Sequence, residues 1–255
     1  MFSTYTIDTA IDFATLTSSL TFEQVAATRQ VANAALINSA GHIPIVRTTT
    51  AYKHQVQPMP PAFLALRDAI IKAIMTTTGR SCAEVEFNNA MVELYDPAYT
   101  KMGFHTDQAQ DLAEGSTIAI FSCYETSPPN DKHMKTSPPR LLIVNDKRSD
   151  SEKDVTEFPM HDSSCITFST ATNALHKHKI VGGGCTRRWL GLTFRTSKTY
   201  VERRGEELEL YFVGSGRLLR KATEEEKVEI RRCKGRENAE VEFEWPVMDV
   251  TMSEH

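Results

Sequence analysis

The chain has little cysteine to work with. Cys82, Cys123, Cys165, Cys185 and Cys233 make an odd count, and no two stand in a CxxC pair. That argues against a disulfide scaffold and a structural zinc site, and it fits a reducing compartment. Long hydrophobic runs are missing too: no stretch approaches the ~20 apolar residues of a membrane span. The opening MFSTYTIDTAIDFATL has no basic start and no apolar run of signal-peptide length. A cytosolic or nuclear location without a membrane partner is therefore expected. Basic residues are not in excess. Lys and Arg number 29 against 33 Asp and Glu, for a formal charge of -4, which gives no surface for strong non-specific nucleic-acid binding.

What remains is ordinary globular composition. With 255 residues, 40% of them hydrophobic, the chain can bury one sizeable core. A helix is expected from Thr21-Phe22-Glu23-Gln24 to about Asn38, with Thr21 as cap and Gln24 at the capping-box position. A β-rich stretch, Ile43 to Gln57, follows and ends at Pro58-Met59-Pro60-Pro61. Ala62 to Thr77 reads as an amphipathic helix, with Phe63, Leu66, Ile70 and Ile74 at helical spacing.

From Glu84 the pattern turns to strands: Val85-Glu86-Phe87, Met91 to Tyr95, Thr117 to Tyr124, Arg140 to Asn145 and Ser164 to Ser169. Leu175 to Val181, Arg188 to Lys198 and Glu207 to Val213 complete the set. A polar loop carrying His133 and a charged loop, Asp146 to Glu157, interrupt the series. Thr223-Glu224-Glu225-Glu226 is a capping box opening a charged, solvated helix to about Lys234. Helices first and many strands after suggest an α+β fold built on a β-sandwich or jelly roll.

The chemistry concentrates around His105-Thr106-Asp107. On a strand, the period of two puts His105 and Asp107 on one face. A lone His-x-Asp is weak, and its bland reading is a surface polar pair at a strand end. A second histidine in a strand-like segment, with an arginine behind it, reverses those odds. Two histidines and a carboxylate can take three adjacent positions on octahedral Fe(II) and leave three open. The distal ligand is His176 or His178, which periodicity cannot separate. His178 is preferred, because Ile180-Val181 follow it and Arg195 lies seventeen positions on. In RWLGLTFRTS, Leu190, Leu192 and Phe194 share an apolar face with Arg188, while Trp189, Gly191, Thr193, Arg195 and Ser197 share the other. Arg195 can hold a carboxylate bidentately with Ser197 adding a hydroxyl, and Arg188 is the rival anchor.

FNNAMVELY, HTD, the distal HKI and the closing LTFR resemble the Fe(II)/2-oxoglutarate-dependent dioxygenases, in their AlkB-like branch. PMPPAFLALRDAI extends the resemblance upstream, so that it covers roughly residues 43 to 198. It implies a double-stranded β-helix core flanked by N-terminal helices, with His105, Asp107 and His178 on Fe(II). It also implies Arg195 on 2-oxoglutarate, with Tyr95 as a further donor. The division expected is a helical and lid region over 1–82, a core over 83–200 and an extension over 201–255.

The activity implied is hydroxylation of a C–H bond with dioxygen, 2-oxoglutarate being turned to succinate and CO2. Two positions depart from the pattern: Trp189 stands where an arginine is common six residues before the last one, and Glu93 replaces an asparagine. Ile43 to Gln57 would be the substrate lid, with Tyr52 and His54 to stack on an alkylated base and Arg47 and Lys53 to meet phosphate. A nucleobase substrate stands slightly ahead of a protein side chain or a small metabolite. The competing classes are a non-catalytic jelly-roll module with a vestigial metal site, and a zinc hydrolase, for which no general base is evident.

Overall fold

The computed structural model describes all residues except 82–84, 101, 127–136, 150, 152–153 and 207. Cys82, Glu84, His133 and Glu207 therefore lie outside the described residues. The chain opens with β1 (Ser3–Thr6) and a short helix α1 (Phe13–Ser18), capped by Asp12 accepting from the Thr15 amide. Next come β2 (Glu23–Ala26), β3 (Arg29–Ala35), β4 (Ile43–Pro44) and β5 (Gln57–Pro58). The long helix α2 (Pro61–Thr78) has proline in its first turn and ends at Gly79, whose φ of 69° lets its N–H reach the Met75 carbonyl.

The strand-rich part runs through β6 (Asn89–Tyr95), β7 (Thr117–Tyr124), β8 (Arg140–Asp146), β9 (Val155–Met160) and β10 (Ser164–Ser169). A six-residue helix, α3 (Thr170–Leu175), leads into β11 (His176–Val181) and then β12 (Trp189–Arg195). The tail adds β13 (Tyr200–Arg204), β14 (Glu209–Phe212), β15 (Leu218–Lys221), the helix α4 (Glu224–Ala239) and β16 (Val250–Thr251).

The strands form a mixed α/β arrangement of mostly antiparallel sheets. The large sheet has the order β1-β10-β7-β12-β6-β3-β2, with β5 added parallel to β3. A small sheet, β11-β8-β9, faces it, and β16-β15-β14-β13-β4 form a third. Helices α1 and α2 cover the outer face of the large sheet, where Phe63, Leu66, Ile70 and Ile74 meet Leu190, Leu192 and Phe194. Burying each of those four helix side chains contributes about 2 kcal/mol. The inner face packs Ile118, Ile120, Ile166 and Trp189 against Leu142, Val144 and Ile180 of the small sheet.

The helix expected over Thr21–Asn38 is instead β2 and β3. Its alanines explain the error. Ala32 and Ala34 lie under α2 beside Ala90 and Ala119, where small side chains let the helix sit close to the sheet. Tertiary packing thus overrides helix propensity. Residues 43–57 carry only the two ends of β strand, β4 and β5, and Val85-Glu86-Phe87 is irregular. The charged loop is shorter than expected, because β9 begins at Val155 and pairs with β8.

Candidate metal centre

His105 is not in a regular strand; it forms an isolated antiparallel bridge with His178 on β11. The His105 amide donates to the His178 carbonyl at 2.9 Å and the reverse bond is 2.7 Å. Residues exchanging both bonds put their side chains on the same face, and the two imidazole centroids lie 4.6 Å apart. Asp107 is positioned by other means. Its amide donates to Asn173 Oδ1 at 2.9 Å, and Asn173 Nδ2 donates back to its carbonyl at 2.8 Å. Ligand atoms of His105, Asp107 and His178 then lie within 4.8 Å of one another. His178 Nε2 is 3.8 Å from Asp107 Oδ1, too far for a hydrogen bond. Donor atoms bound at about 2.1 Å to one octahedral ion sit roughly 3 Å apart, so an ion would close this gap by less than about 1 Å.

The electrostatics suit a cation. Burial, then the neighbouring His105, push His178 down to about 3 against the pull of Asp107. Burial likewise lowers His105, again against Asp107. Both rings are thus neutral near pH 7, the form that ligates metals. Nδ1 of His105 lies 3.1 Å from the Gly103 carbonyl, which can only accept, so Nδ1 carries the proton and Nε2 offers the lone pair. Burial raises Asp107, but Arg195, His178 and His105 outweigh it and hold the carboxylate well below its usual range. Arg195 Nε donates to Asp107 Oδ2 at 2.9 Å. One carboxylate oxygen is thereby fixed and the other is turned towards the histidines.

A cavity of about 370 Å³ opens beside the three residues, lined among others by Tyr52, Met91, Glu93, Phe104 and Arg195. Arg29 enters it from β3 and pairs with Glu93 at 2.6 Å, while Tyr95 donates to the same Glu93 oxygen at 2.9 Å. Helix α4 forms another wall. Asn238 Oδ1 accepts from the Thr106 amide and Glu237 Oε1 from the Ala109 amide, at 2.9 and 2.8 Å. Lys234 donates to the Thr106 carbonyl and pairs with Glu237. The charged helix expected to be solvated therefore clamps the loop that carries His105 and Asp107, and it runs to Ala239 rather than Lys234.

The other expected residues divide. His176 is not part of the cluster: its Nδ1 is 2.8 Å from the Thr172 carbonyl and its ring meets Phe2 edge-on. Ser197 does not reach the cavity, since its hydroxyl is committed to the Ile45 and Thr199 carbonyls. Arg188 belongs elsewhere as well. It pairs with Glu125 and lies over the Phe13 ring, just beyond the end of β12 opposite Arg195. The six steps from Trp189 to Arg195 span about 20 Å of strand.

Tyr95 is fully buried behind Glu93. Tyr52 lines the cavity, with its hydroxyl 3.6 Å from Met91 Sδ. His54 is exposed, and its amide donates to Glu23. Arg47 is unavailable to phosphate, because it is buried against Asp111. Arg29, Asn173, Lys234, Glu237 and Asn238 escaped the sequence reading. The helical spacing of the last three is the one trace they leave.

No family model matches the chain, and no curated protein matches it. Among solved structures, the structure of OsALKBH1 is similar over 70% of this chain and 85% of that one, at 12% identity and a TM-score of 0.42. So distant a likeness adds nothing to the geometry.

Proposed function

We propose that this chain is a mononuclear non-haem iron oxygenase, with His105, Asp107 and His178 holding Fe(II). The observation that carries the reading is their convergence beside an open cavity, with the carboxylate oriented by Arg195. Zinc hydrolysis is the weaker reading, because the carboxylates next to the cluster are already engaged: Glu93 by Arg29 and Tyr95, Asp107 by Arg195. A double-stranded β-helix is supported by the way two antiparallel sheets face each other and bring β11 and the 105–107 loop together at one end.

When bound, iron would supply the activation of dioxygen, with a 2-oxo acid as reductant, leading to hydroxylation of a substrate C–H bond; an N-methyl group so hydroxylated leaves as formaldehyde. The protein's own part is positioning. Neutral imidazoles and an ionised carboxylate would offer such an ion three donors. Arg195 keeps Asp107 from rotating, Asn173 fixes its backbone, and α4 holds the loop against the cavity. Buried Tyr52 and half-buried Met91 and Phe104 line the cavity and restrict water.

An alkylated nucleobase is the substrate class we favour. Phe104 lies on the cavity wall with the ammonium groups of Lys179 and Lys177 at 4.3 and 5.7 Å from its ring. That puts an aromatic ring on the wall with positive charge over it, a pairing of the kind that meets a base and its phosphate. Fe(II)-loaded protein should consume oxygen and release CO2 from a 2-oxo acid, and His178→Ala and Arg195→Ala should abolish both. Methylated oligonucleotides are the first substrates to screen. Wild-type protein that takes up no Fe(II) would end this reading.

A further inference from the structure

Two of the three candidate donors stand on chain that no sheet holds. His105 has only its isolated bridge to His178, and residues 106–109 belong to no strand or helix. Buried backbone groups on such a segment still need partners, and here side chains supply them. Asn173 meets both backbone groups of Asp107. Those of Thr106 are met from α4: Asn238 Oδ1 accepts from its amide at 2.9 Å, and Lys234 Nζ donates to its carbonyl. The Ala109 amide donates to Glu237 Oε1 at 2.8 Å. Lys234, Glu237 and Asn238 fall three and four residues apart, on one face of the helix. That face stands where a neighbouring strand would otherwise run.

Glu237 ties this face to the rest of the tail. It is only 5% exposed, and a carboxylate is buried so deeply only where it is well paired. Oε2 pairs with Lys234 at 2.7 Å. Oε1 is shared by the Ala109 amide and the Trp245 indole N–H, each at 2.8 Å. The last turn of α4 is fixed from the core side as well. Lys147, just beyond β8, donates to the Glu237 and Glu240 carbonyls at 2.6 and 3.1 Å, a cation at the negative end of the helix. Helix stability accounts for the Lys234 pair, which lies within one turn. It does not account for an oxygen aimed at an amide 128 residues earlier, two positions from Asp107.

We infer that Glu237 is a positioning residue of the metal centre. By accepting from the Ala109 amide it sets the path of the 106–109 backbone and, through that backbone, the place of Asp107 beside the two histidines. Its reach carries the effect and its charge does not. The inference rests on the iron-centre reading above, and it makes α4 a part of that centre.

The test is Co(II) affinity of the full-length protein by equilibrium dialysis, with circular dichroism and the visible absorption of bound Co(II) recorded alongside. Glu237→Gln keeps Oε1 at its distance and loses the charge. Glu237→Asp keeps the charge and stops one methylene, about 1.5 Å, short. Glu237→Ala keeps neither. The glutamine variant should bind within about threefold of wild type. The aspartate and alanine variants should bind about 10–100-fold more weakly while their dichroism stays native, and their Co(II) absorption should change as the donors shift. Glu229→Ala, on the exposed face of the same helix where Glu229 pairs with Arg232, should leave the affinity unchanged. Should the alanine variant fail to fold, the aspartate and glutamine variants decide between reach and charge. Wild-type affinity in Glu237→Asp would overturn the inference. So would a Glu237→Gln protein as weak as Glu237→Asp, which would assign the effect to charge. Wild-type protein that takes up no Co(II) would instead remove the metal-centre reading on which the inference stands.

Discussion

Gly191→Ala is the substitution whose cost can be worked out most directly. The new methyl carbon would start 2.0 Å from Cη2 of Trp189, whereas carbon atoms in contact prefer about 3.5–4.0 Å. The indole must therefore retreat by roughly 1.5 Å or more. It has nowhere to go without loss: Tyr95 stands 4.9 Å away on one side, and Ser122 Oγ accepts the indole N–H. Overpacking of a dense core costs about 1–3 kcal/mol, and a buried N–H left without an acceptor another 1–3 kcal/mol. Alanine recovers about 0.4–1 kcal/mol through the unfolded chain. The net expectation is a loss of about 1–5.5 kcal/mol.

Urea denaturation at constant m measures that loss, and a double-mutant cycle assigns it. Trp189→Ala alone should cost about 3–5 kcal/mol. In that background the glycine substitution should cost less than about 1 kcal/mol, because the indole it would strike is gone. A Gly191→Ala protein within about 0.5 kcal/mol of wild type would refute the account of the filled interior. So would a cost that persists unchanged in the Trp189→Ala background.

Asp111→Asn should destabilise the protein by about 3–5 kcal/mol, since Arg47 then stays buried with its partner neutralised; denaturation midpoints check this, and a loss under about 1 kcal/mol would show that the pair is not truly buried. His255 gives a pH dependence. Burial is the main cause that holds it down to about 4, with Asp111 opposing and Lys221, Arg47 and Arg203 assisting. The unfolded imidazole titrates near 6.5, so the unfolded chain binds the extra proton between those values. Stability should be intact above pH 6.5 and fall by up to about 3 kcal/mol on the way to pH 4. His255→Gln, compared with wild type across that range, should flatten the slope. Co(II) added at about 100 times its dissociation constant should stabilise wild type by about 2.7 kcal/mol and leave His178→Ala unmoved. Asn173→Ala should weaken metal binding by about 10–100-fold, because Asp107 loses both backbone bonds that aim it; unchanged affinity by dialysis would exclude that role.

The legible parts of the sequence were those in which local pattern and tertiary role agree. Phe63, Leu66, Ile70 and Ile74 read as one helix face and are buried as one. β7, of continuously apolar character, is buried at every position and keeps the bounds expected for it. The capping box at Thr223 and Glu226 is present in both of its hydrogen bonds. The two faces of β12 also separate as the period of two requires, with Leu190, Leu192 and Phe194 under the helices and Trp189 between the sheets.

The failures came where distant chain decides. Alanines at 32 and 34 favour helix locally and were overruled by their place beneath α2. Arg47 looked like a free cation because Asp111, its partner, is 64 residues away. At the site, spacing grouped His105, Asp107 and His178, but a period of two could not choose between His178 and His176. The antiparallel bridge brings His178, rather than His176, beside His105, and it is a long-range fact.

Trp189 shows how a single departure from a motif should be weighed. Taken with Glu93, it gives some weight to a vestigial metal site. Decay, however, predicts loosening around the donors as well, and the opposite is seen. Asp107 is held by Arg195 through its side chain and by Asn173 at both backbone groups. The neighbouring amides of Thr106 and Ala109 are each met by a side chain from α4, more than 125 residues along the chain. Trp189 is equally well built in, with its N–H satisfied and its ring packed near Gly191, Tyr95 and the Arg140 guanidinium. Along β12, then, Arg195 at one end fixes Asp107 beside the two histidines, and Trp189 at the other fills the interior between the sheets.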